Sequence, residues 1–200
     1  MSIFLNAVIH PETVRRLKTG DRAALETVYK VFSKAVYTTA RRILKDSGLA
    51  EEVAQDTFVD VMTKASTLRD AAALGPWVRS IVVNRCLMRL RSPWHKRREH
   101  RDGVGEYERP RPDDDLHRAI DIEQALDRLP AETRAVIWMH DIEGYTHREI
   151  GAAFGRTASF SKSQLARGYE KLTEFRTGET SESRNRTDER AKLERTNASL

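Results

Sequence analysis

The stretch from Leu129 to Leu172 constrains the fold of this chain more than any other, because residues that begin and end helices alternate along it. Proline is tolerated in the first turn of a helix, and glycine readily adopts the left-handed conformation that ends one. Thr146, followed three residues later by Glu149, forms a capping-box pattern. The residues that mark helix starts and stops are Pro130, Gly144, Thr146 and Gly155. They predict three helices, the last from about residue 158 to about residue 175.

The last two of these helices, joined by a turn at Gly155, predict a helix-turn-helix, in which the second helix can enter the major groove of DNA. Its buried face is predicted to consist of Ser161, Leu165, Gly168 and Leu172. Its outward face consists largely of Phe160, Lys162, Ser163, Gln164 and Arg167. Cations there can contact phosphates, and Ser and Gln can bond to base edges. An ordinary antiparallel helix pair with a solvated polar face has the same pattern, so both alternatives stay open.

The composition of the whole chain favours a polyanionic partner, because its formal net charge is +5. The single cysteine, Cys86, excludes a disulfide framework and a cysteine-rich zinc site. No apolar run approaches the roughly 20 residues of a membrane span, and the N-terminus lacks the run of a signal peptide. We therefore expect a soluble, cytoplasmic protein that binds no membrane, metal or cofactor.

Three amphipathic helices are predicted before residue 92. The first follows Asp21, which suits an N-cap. The second begins near Ala50, and the third runs from Trp77 to about Leu90, after a predicted loop over Thr67–Pro76. Three helices with matching apolar faces can form a small bundle. Residues 1–20 form no readable pattern.

The second of these helices is acidic on the side opposite its apolar face. The residues on that side are Glu51, Glu52, Gln55, Asp56 and Asp60. Acidic residues in the first turn interact favourably with the helix dipole, which accounts for the two glutamates but not for the aspartates further along. On a chain that is basic overall, this acidic strip indicates a surface for a basic partner. A solvated face is the alternative.

The chain is predicted to be all-α, with two small helical domains at residues 1–91 and 119–176. Residues 92–118 contain prolines, glycines, a basic cluster and a run of aspartates, which is typical of a flexible linker. Residues 177–200 have almost no large apolar side chains, so we expect a disordered tail.

Several motifs in the two domains follow the order and spacing of one family. Those of the first domain are residues 52–58 (EVAQDTF) and residues 77–84 (WVRSIVVN). Those of the second are Leu129-Pro130, Arg134, Glu143-Gly144, Glu149-Ile150-Gly151, Phe154-Gly155 and residues 162–168 (KSQLARG). With this ordered set, the chain resembles the extracytoplasmic-function (ECF) sigma factors, which are initiation subunits of bacterial RNA polymerase. The resemblance covers roughly Leu17–Leu172.

The resemblance implies a three-helix region 2 bundle and a helix-turn-helix region 4, with core RNA polymerase and promoter DNA as partners. It assigns polymerase binding to Glu52, Gln55, Asp56, Phe58 and Asp60. It assigns contacts with the melted minus-ten element to the loop Thr67–Pro76 with Trp77, Arg79, Asn84 and Arg85. It assigns DNA contacts in the second domain, at the minus-thirty-five duplex, to Thr146, Ser159, Phe160, Lys162, Ser163, Gln164 and Arg167. An anti-sigma protein is a further candidate partner.

Departures from the family pattern affect which promoter sequence we expect the chain to recognise more than they affect the resemblance to the family. Ser159-Phe160-Ser161 stands where the family usually has Gly-Thr-Val, so Ser161 puts a hydroxyl where a buried valine is expected. Gln164 replaces the usual arginine, and Arg79 replaces a common aromatic beside the melted strand. The loop Thr67–Pro76 lacks the aromatic and Gly-Glu features often seen where a flipped base is captured.

Two other classes of function are alternatives. A helix-turn-helix regulator that binds an operator without polymerase has no use for the acidic strip and the first domain. An enzyme would need a Glu-x-x-His pair, a glycine-rich phosphate loop or a nucleophile motif, and the sequence contains none of these. His140 and His147 lie seven residues apart across a helix break, which favours a surface role over metal binding.

Overall fold

The computed structural model describes residues 2–92 and 124–175, and all regular secondary structure in these ranges is helical. The N-terminal bundle comprises α1 (Ile3–Asn6), α2 (Pro11–Lys18), α3 (Arg22–Leu44), α4 (Ser47–Lys64) and α5 (Leu74–Arg91). The C-terminal unit comprises α6 (Ala131–Ile137), a π-helical segment (Trp138–Ile142), α7 (His147–Phe154) and α8 (residues 158–175). The predicted all-α class is confirmed. The predicted linker, apart from Ser92, and the predicted tail lie outside the described residues.

Side-chain caps set the starts of the long helices. Asp21 accepts a hydrogen bond from the Ala24 amide at 2.8 Å, which confirms it as the N-cap of α3. Asp46 accepts one from the Leu49 amide at 2.9 Å, so α4 begins at Ser47 rather than near Ala50. The prediction of a loop over Thr67–Pro76 is wrong in its second half. Helix α5 begins at Leu74, because Pro76 lies in its first turn, where the missing N–H is not needed.

Helix α3 is the centre of the N-terminal bundle, because it contacts each of the other four helices. Its fully buried side chains include Val28, Phe32, Val36 and Ile43. Residues 1–20 show no clear helical pattern in the sequence, yet α1 and α2 form within this range. Phe4 of α1 is buried and stacks on Phe32, with ring centroids 5.8 Å apart. Helix α1 is therefore part of the core.

Gly75 allows α1 to lie directly against α5. A Cβ at this position would collide with the backbone carbonyl of Phe4. We therefore expect Gly75→Ala to lower the free energy of unfolding by about 1–3 kcal/mol, because the backbone of α1 must move to make room. Urea unfolding of the full chain, followed by circular dichroism, measures the difference.

The matched control is Gly48→Ala, in the first turn of α4. A Cβ there meets only the Asp46 carboxylate, at 3.4 Å, and alanine is the better helix former. The control should unfold like the wild type or at slightly higher urea. An equal loss in both variants would contradict the tight packing of α1 on α5.

The C-terminal unit is a helix-turn-helix in which the predicted glycines end helices and the predicted capping box begins one. Gly144 and Gly155 have φ of +72° and +64°, so each takes the left-handed conformation at its helix end. The capping box is formed by Thr146 and Glu149. Gly168 of α8 packs so closely on α6 that a Cβ would lie 2.5 Å from the Ile137 side chain.

The C-terminal unit lies against the N-terminal bundle, with α6 and the π-helical segment on α3 and α7 on α5. The Arg134 guanidinium donates to the carbonyls of Arg42 at 3.2 Å and Ile43 at 3.0 Å. These are terminal carbonyls of α3, where a cation is favoured by the helix dipole. Arg91 of α5 donates to the Ala153 carbonyl of α7. Within the described residues, no helix is both long enough and apolar enough to span a membrane.

Candidate functional site

Helices α4 and α5 lie side by side, and their facing charged side chains pair. The Arg85 guanidinium bonds to Asp60 at 2.7 Å and to Asp56 at 3.1 Å. Arg89 lies 3.2 Å from Glu52 and 3.6 Å from Asp56. These five residues are named the α4–α5 ladder. It brings together three predicted polymerase-binding acids and Arg85, a predicted DNA contact.

Asp60 is the most buried member of the ladder, at 7% exposed. Lys64, one turn further along α4, also bonds to it, at 2.8 Å. Burial acts to raise the pKa of Asp60, but the hydrogen bonds and charges of Lys64 and Arg85 outweigh burial and hold that pKa below its ordinary value. Asp60 therefore anchors α4 to α5 in its ionised form.

A lowered pKa makes the Asp60 carboxylate stabilising above its ordinary pKa of about 4, and this contribution is lost as the pH falls through the lowered value. We expect Asp60→Asn to lower the free energy of unfolding at pH 7 by about 1–3 kcal/mol, because two cations lose a buried partner. The deficit should stay constant down to about pH 5 and shrink below about pH 4. Urea unfolding of both proteins across this range measures it.

The control for Asp60→Asn is Glu26→Gln, which removes an exposed carboxylate paired with Lys30 on α3. Exposed pairs of this kind contribute little to stability. A deficit in Asp60→Asn that persists unchanged to pH 3 would show that the loss comes from packing and not from the charge.

The opposite side of α4 borders an open apolar groove of about 710 Å³ against α3. This α3–α4 groove is lined by Leu25, Tyr29, Ser33, Lys34, Tyr37, Glu51, Ala54, Gln55, Phe58, Val59 and Met62. Phe58 packs on Tyr29 with ring centroids 4.7 Å apart. Tyr29, Val59 and Met62 are each about half exposed, at 52%, 54% and 48%. The groove thus exposes several large apolar side chains, which is a common feature of protein–protein contact sites. Gln55 and Phe58 are among the residues that line the groove, so they lie on a different side of α4 from the ladder.

The predicted DNA contacts of α5 lie on different sides of the helix. At 100° per residue, Trp77 and Asn84 share one outward stripe, and Arg85 lies toward its edge beside α4. Asn84 is exposed, and Trp77 is half-buried. Arg79 lies on the opposite side, where it is 8% exposed beneath the C-terminal unit.

Arg79 is covered by the turn that follows the π-helical segment. Its guanidinium donates to the Glu143 carbonyl and lies 4.1 Å from the ring centroid of Tyr145. Burial raises the pKa of Tyr145 to about 12, so its hydroxyl stays neutral. The buried Glu143 carboxylate accepts hydrogen bonds from Ser2 at 2.6 Å and from Thr39 at 2.8 Å. One residue of the C-terminal unit thus ties together three segments of the bundle.

Helix α8 presents most of its predicted DNA contacts to solvent. The exposed ones are Ser159, Lys162, Ser163 and Arg167. Phe160 is half-buried against Phe154, with ring centroids 5.2 Å apart. Gln164 is half-buried as well, and it accepts a hydrogen bond from the Thr133 hydroxyl of α6 at 2.7 Å. These two residues support the helix-turn-helix in addition to bordering its outward face.

Two polar groups of the helix-turn-helix are satisfied internally. The buried Ser161 hydroxyl lies 3.1 Å from His147 Nδ1, so the hydroxyl that stands at an expected valine position has a partner. Burial lowers the pKa of His147, and electrostatic interactions with His140 and Lys162 act in the same direction. The Thr146 hydroxyl is engaged with Glu149 in the capping box.

Two family models match the chain. Sigma-70 region 2 matches residues 28–96, and Sigma-70, region 4 matches residues 119–172. Over 155 residues the chain is 30% identical to the ECF RNA polymerase sigma factor SigM of Mycobacterium tuberculosis, with 76% of this chain and 77% of SigM covered. The chain belongs to the ECF RNA polymerase sigma factors.

This sigma factor is also 30% identical to the ECF RNA polymerase sigma factor SigE of Mycolicibacterium smegmatis, over 82% of this chain and 67% of SigE. Its fold is similar to that of the sigma factor RpoE of Bartonella quintana, solved with the anti-sigma factor NepR. The TM-score is 0.55 at 22% identity, with 76% of this chain and 96% of RpoE covered. Directing RNA polymerase to specific promoters is therefore the function of this sigma factor.

Sequence reasoning missed two features of this sigma factor. It quoted Glu143 as part of a motif but assigned it no contact, because its partners Ser2 and Thr39 are distant in the chain. Tyr29 and Met62 fall at helical spacing among the apolar residues of α3 and α4, yet both are half exposed in the groove. The sequence did contain a signal for the groove, because the apolar faces of these helices are wide and carry an aromatic residue at the edge.

Proposed function

We propose that this sigma factor binds core RNA polymerase through the α3–α4 groove and the exposed edge of the ladder. Gln55 and Phe58 would contact the polymerase directly from the groove wall. The Glu52 and Asp56 side chains, 57% and 40% exposed, supply negative charge for a basic partner surface. Asp60 would act indirectly, because it is buried and holds Arg85 in place.

We propose that the outward stripe of α5 holds the melted minus-ten strand. Trp77 would stack on an unpaired base, and Asn84 would bond to a base edge. Arg85, at the border of the stripe, would neutralise a phosphate while it keeps its place in the ladder. Arg79 would join this site only when the C-terminal unit moves away, because it is buried in the arrangement described above.

We propose that α8 reads the minus-thirty-five duplex in the major groove. The four exposed polar residues of the helix, Ser159, Lys162, Ser163 and Arg167, would contact phosphates and base edges. Phe160 and Gln164 would contact DNA at the margin, where their exposed portions border this face. Thr146 lies at the N-terminus of α7, where backbone amides favour a phosphate.

In this proposal the minus-ten and polymerase sites belong to a domain of residues 1–91, and the minus-thirty-five site to a domain of residues 119–176. Residues 92–118 would act as the linker and residues 177–200 as a tail. Two modest DNA contacts on one polymerase gain from effective concentration, and the linker length decides whether both can engage. Free sigma factor should therefore bind DNA weakly.

We also propose an anti-sigma protein as a partner, because the similar fold of RpoE was solved with NepR. The sigma factor would act in the cytoplasm with the polymerase and would contribute no catalytic chemistry of its own. The observation that carries the whole proposal is the 30% identity to SigM over three quarters of the chain, with both sigma-70 regions in order.

The proposal is tested by run-off transcription with purified core polymerase and genomic promoter fragments. Transcripts with defined starts should require both the core enzyme and this chain. If the chain binds promoter fragments equally well without polymerase and yields no transcript, it is a polymerase-independent regulator instead.

A further inference from the structure

Arg89 is the arginine at the exposed end of the α4–α5 ladder. Its guanidinium lies 3.2 Å from Glu52 and 3.6 Å from Asp56, and its side chain is 40% exposed. The side chains of both acids are accessible to solvent as well. Ion pairs that stay in contact with water are weak, because water screens both charges. The ladder therefore holds Arg89 loosely.

Arg85 is held more firmly than Arg89. Its guanidinium bonds to the buried carboxylate of Asp60 as well as to Asp56. Removing Arg85 from Asp60 would leave a buried charge with one partner fewer, which is costly. Arg89 can leave the ladder without uncovering a buried charge, because both of its acids are exposed. The two arginines therefore differ in how readily they can exchange partners.

The two acids that hold Arg89 are also the acids proposed to face the polymerase. A carboxylate that pairs with a cation of a basic partner surface attracts Arg89 less, because the second cation offsets its charge and repels the guanidinium. Docking of a basic surface on Glu52 and Asp56 would therefore loosen both contacts of Arg89 at once. Arg85 would stay in place, because Asp60 lies too deep to meet the partner.

A released Arg89 would lie next to the proposed minus-ten site. Arg85 and Arg89 are one helical turn apart on the same side of α5, with a rise of about 6 Å between them. That side borders the outward stripe that contains Trp77 and Asn84. A strand that follows the stripe toward the end of α5 would pass Arg85 first and Arg89 next. A guanidinium binds a phosphate well, because its donors match the geometry of two phosphate oxygens.

We propose that Arg89 is a further phosphate contact for the melted strand, and that it becomes available when core polymerase takes up the charges of Glu52 and Asp56. These carboxylates hold Arg89 in the free sigma factor and contact the polymerase in the holoenzyme. Because coupling between two binding sites is reciprocal, a bound strand in turn strengthens polymerase binding. The inference rests on the proposed polymerase role of α4 and the proposed minus-ten role of α5.

The first test measures competition for the acids in the absence of DNA. Arg89→Gln should bind core polymerase roughly two- to fivefold more tightly than the wild type, because Glu52 and Asp56 no longer have to give up an ion pair. Competition against labelled sigma factor gives the affinity. The control is Arg22→Gln, which removes the same charge from an exposed position on α3 and should bind like the wild type.

The second test measures binding of a fluorescent single-stranded oligonucleotide, taken from the minus-ten region of a promoter mapped by run-off transcription. At saturating polymerase, Arg89→Gln should weaken binding by the holoenzyme roughly two- to fivefold. Each phosphate contact with a single strand contributes about 0.7 to the slope of log affinity against log salt concentration, so the slope should become shallower by about that amount. In the free sigma factor, Arg89→Gln should change neither the affinity nor the slope.

The third test releases Arg89 without polymerase. Glu52→Gln combined with Asp56→Asn should make the free sigma factor bind the same oligonucleotide roughly two- to fivefold more tightly. The salt slope should steepen by about 0.7, since one phosphate contact is gained. Adding Arg89→Gln to this double variant should cancel both changes.

The matched control for the double variant is Glu12→Gln combined with Glu26→Gln. It also removes two exposed carboxylates, and it releases Arg15 and Lys30, which lie on α2 and α3 away from α5. The control should keep the wild-type salt slope. An equal steepening in both double variants would show that net charge causes the effect, and would overturn the role of Arg89.

Asn84→Ala separates this inference from the minus-ten role of α5, because it should weaken strand binding by the holoenzyme whether or not Arg89 takes part. If Asn84→Ala is impaired while Arg89→Gln holoenzyme binds like the wild type, the Arg89 contact is wrong and the minus-ten role stands. If neither variant is impaired, both are wrong. An equal loss for Arg89→Gln in the free protein and in the holoenzyme would overturn release by polymerase. So would a polymerase affinity of Arg89→Gln that equals that of Arg22→Gln.

Discussion

Replacing Arg167 by alanine should lower transcription from a native promoter roughly ten- to hundredfold, which corresponds to the loss of one base-edge contact of about 1–3 kcal/mol. Arg167 projects from the exposed face of α8, and no hydrogen bond or ion pair ties it to another part of the described chain. The substitution should therefore leave the fold unchanged and act on DNA binding alone. Run-off transcription with reconstituted holoenzyme measures the loss, and circular dichroism checks the fold.

The control for Arg167→Ala is Arg22→Ala, which removes the same charge from an exposed position at the start of α3. It should transcribe like the wild type, because α3 contacts no DNA in the proposal. If both variants lose activity equally, the effect is one of net charge. Wild-type transcription by Arg167→Ala would show that α8 does not face the groove as proposed.

Val59→Glu should weaken binding to core polymerase by about thirtyfold or more, the range expected for a charge placed in the centre of an apolar contact. Val59 is 54% exposed and lines the α3–α4 groove next to Phe58. Because the side chain already faces solvent in the free protein, the glutamate should not destabilise the fold. Competition against labelled sigma factor for core polymerase gives the change in affinity.

Val31→Glu is the matched control, because Val31 is an exposed valine on α3 that does not line the groove. It carries the same substitution and should bind core polymerase like the wild type. Undiminished binding by Val59→Glu would move the polymerase contact away from the groove. The ladder, with Glu52 and Asp56 at its exposed edge, would then be the remaining candidate surface.

Short-range signals decided most helix boundaries, so the sequence predicted them. A cap such as Asp21, a capping box such as Thr146 with Glu149, and the positive-φ positions Gly144 and Gly155 act within one helical turn. The physical cause and its effect then lie in the same few residues. Where a helix start depended on less obvious local geometry, as at Leu74 with Pro76 in the first turn, the prediction was late by one turn.

The sequence by itself also determined the all-α class and the polar outward face of α8, because helical periodicity separates the two sides of a helix. Only the tertiary structure decided which neighbour each side meets. The sequence shows that Asp60 is acidic, but only the packing of α5 against α4 makes it a buried ion-pair partner of Arg85. Docking of the C-terminal unit places Arg79 beneath Tyr145. It also lets Glu143 accept hydrogen bonds from Ser2 and Thr39, which lie 141 and 104 residues away in the chain. Periodicity carries no information about such pairs, since they exist only after the helices pack.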